Sequence, residues 1–396
     1  MFIALRDLWF ARGRFALMAT VVGLLALLMV LLTGLSTGLV DDNIGGLRAL
    51  PVTQFAFSAE SQGKWNNSAV DKDQWEAVAR TPGVTAAAPL GNKLFNGQVY
   101  DDAGKAGQAR AEVLADGKAT TKGTAVDLSL FGIEPGSFIA PPPVQGDALG
   151  SRPDGVLVSS ALAKKGVKVG DTIVLDRVGT PLVVIGTTDK ANYGHVPIVF
   201  APLALWQEAT YGPPGGATAA TPLAPSVSRL ATAVAIDAQP GTDFAAVDQQ
   251  LGLRTISKTE AFNGSPGYAE ETGTLTMIKC FLYLIGAVLV GAFFTVWTIQ
   301  RKSEIALIKA LGATNAYVLR DALAQAAIVL VGATTVGVLA GRLFGFVIPN
   351  GAPFSFDLRA VALAGLFVVL LGLAGAALST RRITKVDPLL ALGSAR

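Results

Sequence analysis

Four long apolar runs, separated by one very long polar gap, constrain this chain more than any other feature. Phe15 to Val40 carries no charged residue. At about 26 residues it exceeds the ~20 a helix needs to cross the ~30 Å apolar core of a bilayer. Met277 to Ile299 follows with Lys279 near its start, then Ala324 to Pro349 interrupted by Arg342, then Leu358 to Leu378 with Arg359 at its beginning. Only 15% of the residues are charged and 51% are apolar, against about 25% charged in soluble domains. A wholly soluble chain is excluded. The expected fold is a membrane protein, an α-helical four-span bundle: one span, a large α+β extracytoplasmic domain, then three spans.

The first run is too long for a cleaved secretory signal, whose apolar stretch covers about 7–15 residues, so it reads as a retained anchor. Before it, Phe2, Ile3, Leu5, Leu8, Trp9 and Phe10 alternate with Arg6 and Asp7, which suits a short amphipathic helix in contact with membrane lipid. Basic residues set the orientation. Arg6, Arg12 and Arg14 precede the first span; Arg301, Lys302, Lys309 and Arg320 separate the second and third; Arg381, Arg382, Lys385 and Arg396 follow the fourth. Arg48 and Arg359 oppose this bias and are outnumbered. Both termini and the 300–323 loop are therefore expected in the cytoplasm. The expected parts are 1–40 (interfacial helix and first span), 41–265 (extracytoplasmic domain), 266–299 (second span), 300–323 (cytoplasmic segment), 324–380 (third and fourth spans) and 381–396 (cytoplasmic tail).

Composition also removes most chemistry. One Cys excludes an intrachain disulfide framework, and one His makes a His-based metal centre or a Ser-His-Asp triad improbable. A net charge of +3 gives no reason to invoke nucleic acid. Neither a G-x-x-x-x-G-K-[ST] loop nor a G-x-G-x-x-G turn occurs. The chain reads as no enzyme and with no cofactor of its own; if it does driven work, the energy comes from a partner.

The gap between the first two spans reads as a folded domain in two lobes. Short β-rich runs at 155–159, 171–175, 181–185, 197–200 and 231–236 are punctuated by Gly, Asp and Pro. Helical patterns cover 71–80 and 243–251.

After the second span, Ile305, Ile308 and Leu311 share one face of a short helix, Gly312 suits its end, and Thr314 or Asn315 could cap the next helix. Such an apolar face outside the bilayer core must be covered, by the membrane surface or by a groove on a cytosolic partner. The string Glu304-Ile305-Ala306-Leu307-Ile308-Lys309-Ala310-Leu311-Gly312-Ala313 resembles the coupling segment of MacB/FtsX-type ABC transporter permeases, as does the whole plan of the chain. The resemblance implies a homodimer in which each copy docks a cytosolic ABC ATPase through Glu304, Ile305, Ile308, Lys309, Leu311 and Gly312. It implies mechanical work: ATP-driven closure moves the second span and the external domain and expels substrate outward.

A narrower likeness is to haem-exporter permeases of the HrtB type. It rests on Met1 to Leu8, on Leu50-Pro51-Val52 followed by Phe55-Ala56-Phe57-Ser58, and on Pro266-Gly267-Tyr268 with Glu271 and Met277 beyond. The stretch Trp65-Asn66-Asn67-Ser68 departs from it, lacking a basic residue before the Ser. The likeness implies haem as transported substrate, with Tyr268, Glu271, Met277, Phe55 and Phe57 facing it and Met277 and Glu271 toward the iron. Haem iron accepts ligands such as Met and Tyr, and a pump must bind it weakly enough to let go. A plainer reading of the same residues is available. Pro266 suits the first helical position, Glu270 and Glu271 suit the positive end of the helix dipole, Tyr268 suits an interfacial anchor, and Met277 suits packing. Two other functions stay open: export of another amphipathic cargo such as a lipid, lipoprotein or antibiotic, and relay of ATPase motion to an extracytoplasmic partner without transport.

The remaining polar residues are weaker candidates. His195 reads as a turn histidine and Cys280 as a small apolar filler. Arg342 and Lys279, charges inside apolar runs, are candidates by default for attracting a propionate, or they snorkel. Gly34 with Gly38, and Gly337 with Gly341 and Gly345, permit close helix contact.

Overall fold

The computed structural model describes residues 12–213, 223–300, 305, 307, 312–347 and 353–383. In chain order these form α1 (Arg12–Ala49), β1 (Gln54–Ser58), α2 (Lys72–Ala79), β2 (Val84–Tyr100), α3 (Ala103–Asp116), β3 (Thr124–Ile133), β4 (Gly155–Ser159), β5 (Thr172–Leu175) and β6 (Pro181–Thr188). There follow β7 (Asn192–Tyr193), β8 (Val196–Pro202), α4 (Leu203–Tyr211), β9 (Ala233–Ala238), α5 (Ala245–Leu251), β10 (Leu253–Ser257), α6 (Tyr268–Gln300), α7 (Asn315–Val347) and α8 (Leu358–Ile383), with short helical turns and two-residue strands between them. The chain divides into two compact units, Met1–Leu39 with Thr272–Arg396, and Val40–Glu271.

In the first unit, α1, α6, α7 and α8 are the helices long and apolar enough to cross a membrane. Their shared core gathers Phe15, Met18 and Val22 from α1, Val290, Phe294 and Trp297 from α6, and Ala326, Val329 and Leu330 from α7. Phe15 meets the Trp297 ring edge-on at 4.6 Å. Small residues allow the backbones to approach, because between apolar lipid tails close packing drives helix association. A β-carbon on Gly341 would meet Val30 at 2.5 Å, and one on Gly375 would meet the Ala287 carbonyl oxygen at 2.5 Å. Gly34, Gly38 and Gly345 instead receive Pro353 and Phe354 from the segment before α8.

The second unit is built on one eleven-stranded sheet in the order β10-β1-β9-β2-β3-β8-β4-β6 and then Gln145–Gly146, with β5 paired to β2 and β6 and β7 paired to β8. The pairs β3–β8 and β4–β6 are parallel. One continuous sheet thus replaces the two separate lobes expected. The strands expected at 155–159, 171–175, 181–185, 197–200 and 231–236 correspond to β4, β5, β6, β8 and β9, the last preceded by Leu230–Ala231. The helix expected at 71–80 is α2, started by a capping box in which Asp71 and Gln74 exchange side-chain and backbone hydrogen bonds.

Two long strands and a helix escape the pattern. β2 contains Gly91, Asn92, Asn96 and Gly97, residues that ordinarily mark turns. Gly91 pairs with Gly132 of β3, and the Trp206 ring lies on both, within 2.3 and 2.6 Å of where their β-carbons would stand. Glycine in a strand here marks close approach of a large ring. α3 contains Gly104 and Gly107, and its Ala106, Ala109 and Val113, at helical spacing, are buried. The boundaries also shift. α1 continues past residue 40 to Ala49, because Ile44 and Leu47 are fully buried, and α7 begins at Asn315 rather than 324.

Candidate functional site

The opening turns of α6 are positioned by Ser265-Pro266-Gly267. Gly267 adopts φ +73°, a conformation glycine takes without strain, and its carbonyl accepts the Glu271 N–H at 3.0 Å. Tyr268 lies half-buried against the core cluster of Ile44, Leu47 and Phe262, its ring 6.2 Å from that of Phe262. Glu271 keeps its side chain 34% exposed.

The carboxylate of Glu271 is engaged. Its Oε1 lies 2.9 Å from Nε2 of His195. His195 occupies the two-residue turn between β7 and β8, where Gly194 and His195 have φ +60° and +65° and Tyr193 pairs with Val196. Positive φ at both central positions matches the twist of a hairpin, and Asn or Gly usually fills them. The turn is fixed against α1: the Gly194 N–H donates to the Asn43 carbonyl at 2.8 Å and the His195 N–H to the Asp42 carbonyl at 3.3 Å. Nδ1 of His195 lies 3.4 Å from Oδ2 of Asp42, and Asn192 Nδ2 donates to the other Asp42 oxygen. Asn43 Nδ2 lies 3.3 Å from His195 Nε2 and donates to the Pro266 carbonyl at 3.0 Å. Residues 42–43 of α1 and Glu271 of α6 therefore converge on the imidazole of this hairpin. Sequence reading singled out Glu271 and treated His195 as a turn residue; it missed Asp42 and Asn43. The available signal was a histidine beside Gly194 in a tight turn, where a bulkier residue than Asn is unusual.

Phe55 and Phe57 are placed elsewhere. Both are fully buried on β1 and meet the Trp65 ring edge-on at 5.1 and 4.9 Å, while Trp65 Nε1 donates to the Ala261 carbonyl at 2.9 Å. They present no surface to a ligand; alternation along a strand with a large aromatic beneath it accounts for them.

In the membrane-helix unit, Met277 is 56% exposed and Cys280 is exposed. Lys279 donates from Nζ to Ser36 Oγ at 2.8 Å, and the Arg342 guanidinium sits 5.7 Å from the Phe356 ring centre. Each buried-run charge thus has a local polar or aromatic partner. Of the coupling segment, Ile305 and Leu307 are helical, Ile305 lines a small pocket with Trp297, Tyr317 and Asp321, and Gly312 has φ +99°, as at a helix end. Thr314 caps α7 by accepting the Tyr317 N–H. Glu304, Ile308, Lys309 and Leu311 lie outside the described residues, as does most of the amphipathic stretch at 1–14.

Two cavities lie among the described residues besides these side chains. One of about 620 Å³, apolar, runs between α1 and α7 along Phe15, Ala19, Gly23, Leu27, Ala333 and Val336. The other, about 490 Å³ and polar, lies in the external unit between Tyr100, Asp101, Lys105, Lys122, Lys165 and Lys168. Among the described residues no group of three His, Cys, Asp or Glu side chains is arranged to hold a metal ion.

Comparison with known proteins adds the family. The MacB-like periplasmic core domain matches residues 15–252, and the FtsX-like permease C-terminal domain matches residues 276–388. A Staphylococcus epidermidis protein that carries the name of a hemin transport system permease, HrtB, is 20% identical over 391 residues, covering 99% of each chain. A Staphylococcus haemolyticus protein of the same name is 21% identical over 395 residues, again covering 99% of each. An uncharacterized ABC transporter permease of Mycobacterium tuberculosis is 25% identical over 404 residues and 99% of each chain. Among solved structures, the periplasmic region of MacB from Actinobacillus actinomycetemcomitans is 12% identical at TM-score 0.33, covering 56% of this chain and 94% of that one.

Proposed function

The chain belongs to the MacB/FtsX-like family of ABC transporter permeases, and on that premise we propose that its cargo is haem, taken from the membrane and expelled outward. As a permease of this family it is a multi-pass membrane protein that works with an ATPase partner and is not itself the catalyst. Similarity along 99% of the chain to relatives named for hemin transport supports the choice of cargo.

One observation carries it. The helix α6 supplies an accessible carboxylate, Glu271, and an exposed thioether, Met277. Thioether sulfur is an established ligand of haem iron, and Tyr268 stands one turn before Glu271 on the same helix. Glu271 and Met277 are six residues apart, about 9 Å along a regular helix and roughly 120° around it. On this proposal two copies pair, one protomer offering Met277 and its mate Glu271 to the same disc. Both termini face the cytoplasm, and the segment around Ile305, Ile308 and Leu311 docks the ATPase. Phe55 and Phe57, being core residues, take no part.

Reconstitution tests the proposal. The permease and its ATPase, placed in liposomes loaded with haemin, should move haemin across the bilayer only when ATP is hydrolysed. Movement of a lipid or another amphiphile in place of haemin would make this an exporter of different cargo. ATP hydrolysis that moves nothing would favour relay to an extracytoplasmic partner.

A further inference from the structure

We propose that the polar cavity of the second unit, ringed by Lys105, Lys122, Lys165 and Lys168, is a binding site for a phosphomonoester group. The site is independent of the cargo read at the start of α6.

Three stretches far apart in the chain bring these lysines together. Lys105 belongs to the first turn of α3, Lys122 to the connection from α3 to β3, and Lys165 and Lys168 to the loop before β5. The cavity they line measures about 490 Å³, within the ~300–1,000 Å³ of small-molecule sites. Asp101 and Asp171 line it too, so two lysines are in excess. Like charges gathered round one cavity repel, and a bound anion relieves that repulsion.

The acids at hand are engaged in holding the walls. The Glu112 carboxylate accepts the Thr120 and Thr121 N–H groups, and Gln98 Oε1 accepts the Gly123 N–H at 3.1 Å. Lys122 therefore stands between two anchored residues. Asp171 Oδ2 accepts the Lys168 N–H at 2.8 Å, and the Asp171 N–H donates back to the Lys168 carbonyl at 3.2 Å. Val167, between Lys165 and Lys168, is buried. Asp101 pairs with Lys105 at 3.1 Å. Among the described residues, Lys105 is the one of the four lysines with an ion-pair partner. The backbone of the site is thus ordered before binding, which lowers the entropy a ligand must overcome, while three exposed ammonium groups keep their charge for it.

The kind of cation selects the kind of anion. No Arg lines the cavity, and it is the planar Arg fork that matches a carboxylate in bidentate fashion. Lys is a compact point charge with rotatable donors, suited to a tetrahedral oxyanion approached from several sides. A phosphomonoester carries about −1.5 to −2 at pH 7, which balances the two lysines in excess. The volume leaves room beyond the phosphate for the body that carries it, a soluble molecule or a lipid headgroup.

The test is lysine footprinting of the full chain in nanodiscs, by acetylation with an N-hydroxysuccinimide ester and mass spectrometry at constant ionic strength. Glycerol 3-phosphate is added to discs of neutral lipid in one arm, and phosphatidic acid is built into the discs in the other. Protection in the first arm identifies a soluble ligand, and in the second a headgroup. In at least one arm Lys122, Lys165 and Lys168 should react about threefold more slowly or less. Lys164, beside Lys165 but outside the cavity lining, should keep its probe-free rate. In Lys168→Gln the amount of phosphomonoester that half-protects Lys122 should rise roughly tenfold, as losing one charge-assisted hydrogen bond implies, although the two residues sit on different loops. Three results would each overturn the proposal: no protection from either source, equal protection of Lys164, or protection of Lys122 that ignores Lys168→Gln.

Discussion

A β-carbon on Gly337 would lie 2.5 Å from the carbonyl oxygen of Gly23, so the first and third spans pass at a separation only glycine permits. Gly337→Leu should force the helices apart at a cost of about 1–3 kcal/mol or more, as overpacking does. Gly332, on the same helix with nothing within 4 Å of its would-be β-carbon, is the control. Gly332→Ala should leave the melting temperature in detergent at or above the parent's, while Gly337→Leu lowers it.

Trp206 rests on Gly91 and Gly132 and is 1% exposed. Trp206→Ala should cost about 3–5 kcal/mol, and Gly132→Ala should also destabilise by crowding the ring. The double variant should cost less than the sum, because the new methyl occupies space the ring has left. A chemical denaturation cycle on the four proteins checks this, and strict additivity would contradict the contact.

Glu112 titrates far from its ordinary range. Its carboxylate accepts the Thr121 N–H at 2.7 Å, the Thr121 hydroxyl at 2.8 Å and the Thr120 N–H at 2.6 Å, and these donors lower its pKa from 4.5 to about 2. A depressed folded-state pKa means the stabilisation is fully present above about 4.5 and is lost as pH falls toward 2. Glu112→Gln should therefore lower stability above about pH 4.5 and flatten the acid limb of the profile between there and about 2. Hydrogen exchange of the Thr120 and Thr121 amides, followed from pH 5 downward, reads it locally.

The apolar face of the proposed coupling helix gives a prediction about assembly. Ile308→Asp with Leu311→Asp should abolish co-purification of the ATPase while membrane insertion stays normal. Co-purification at the parent level would remove the docking assignment.

Legibility in the sequence followed the range of the interactions. The spans were plain because a charge-free run such as Phe15 to Val40 needs no partner to be recognised. The end of α1 was not, because Asp41, Asp42 and Asn43 look like the start of a loop, while the burial of Ile44 and Leu47 that keeps the helix going depends on distant strands. β2 was obscured by Gly91, which makes room for a tryptophan over one hundred residues away, and by Gly97, which lies against Val174 of β5. Glu271 could be picked out only through the resemblance of Pro266-Gly267-Tyr268 and the residues beyond it to haem-exporter permeases, whereas its partner His195 lies 76 residues upstream and Asp42 a further 153. A single sequence shows local periodicity; it does not show which turn will meet which helix end.

Haemin binding by the purified chain tests the central claim most directly. The account predicts a saturable Soret band on titration of the full-length permease, weakened or shifted both in Glu271→Ala and in Met277→Leu. The second change nearly keeps volume and apolarity while deleting the sulfur. A Met277→Leu protein whose haemin spectrum and affinity match the parent's, together with an unchanged Glu271→Ala protein, would contradict the claim that the start of α6 receives haem.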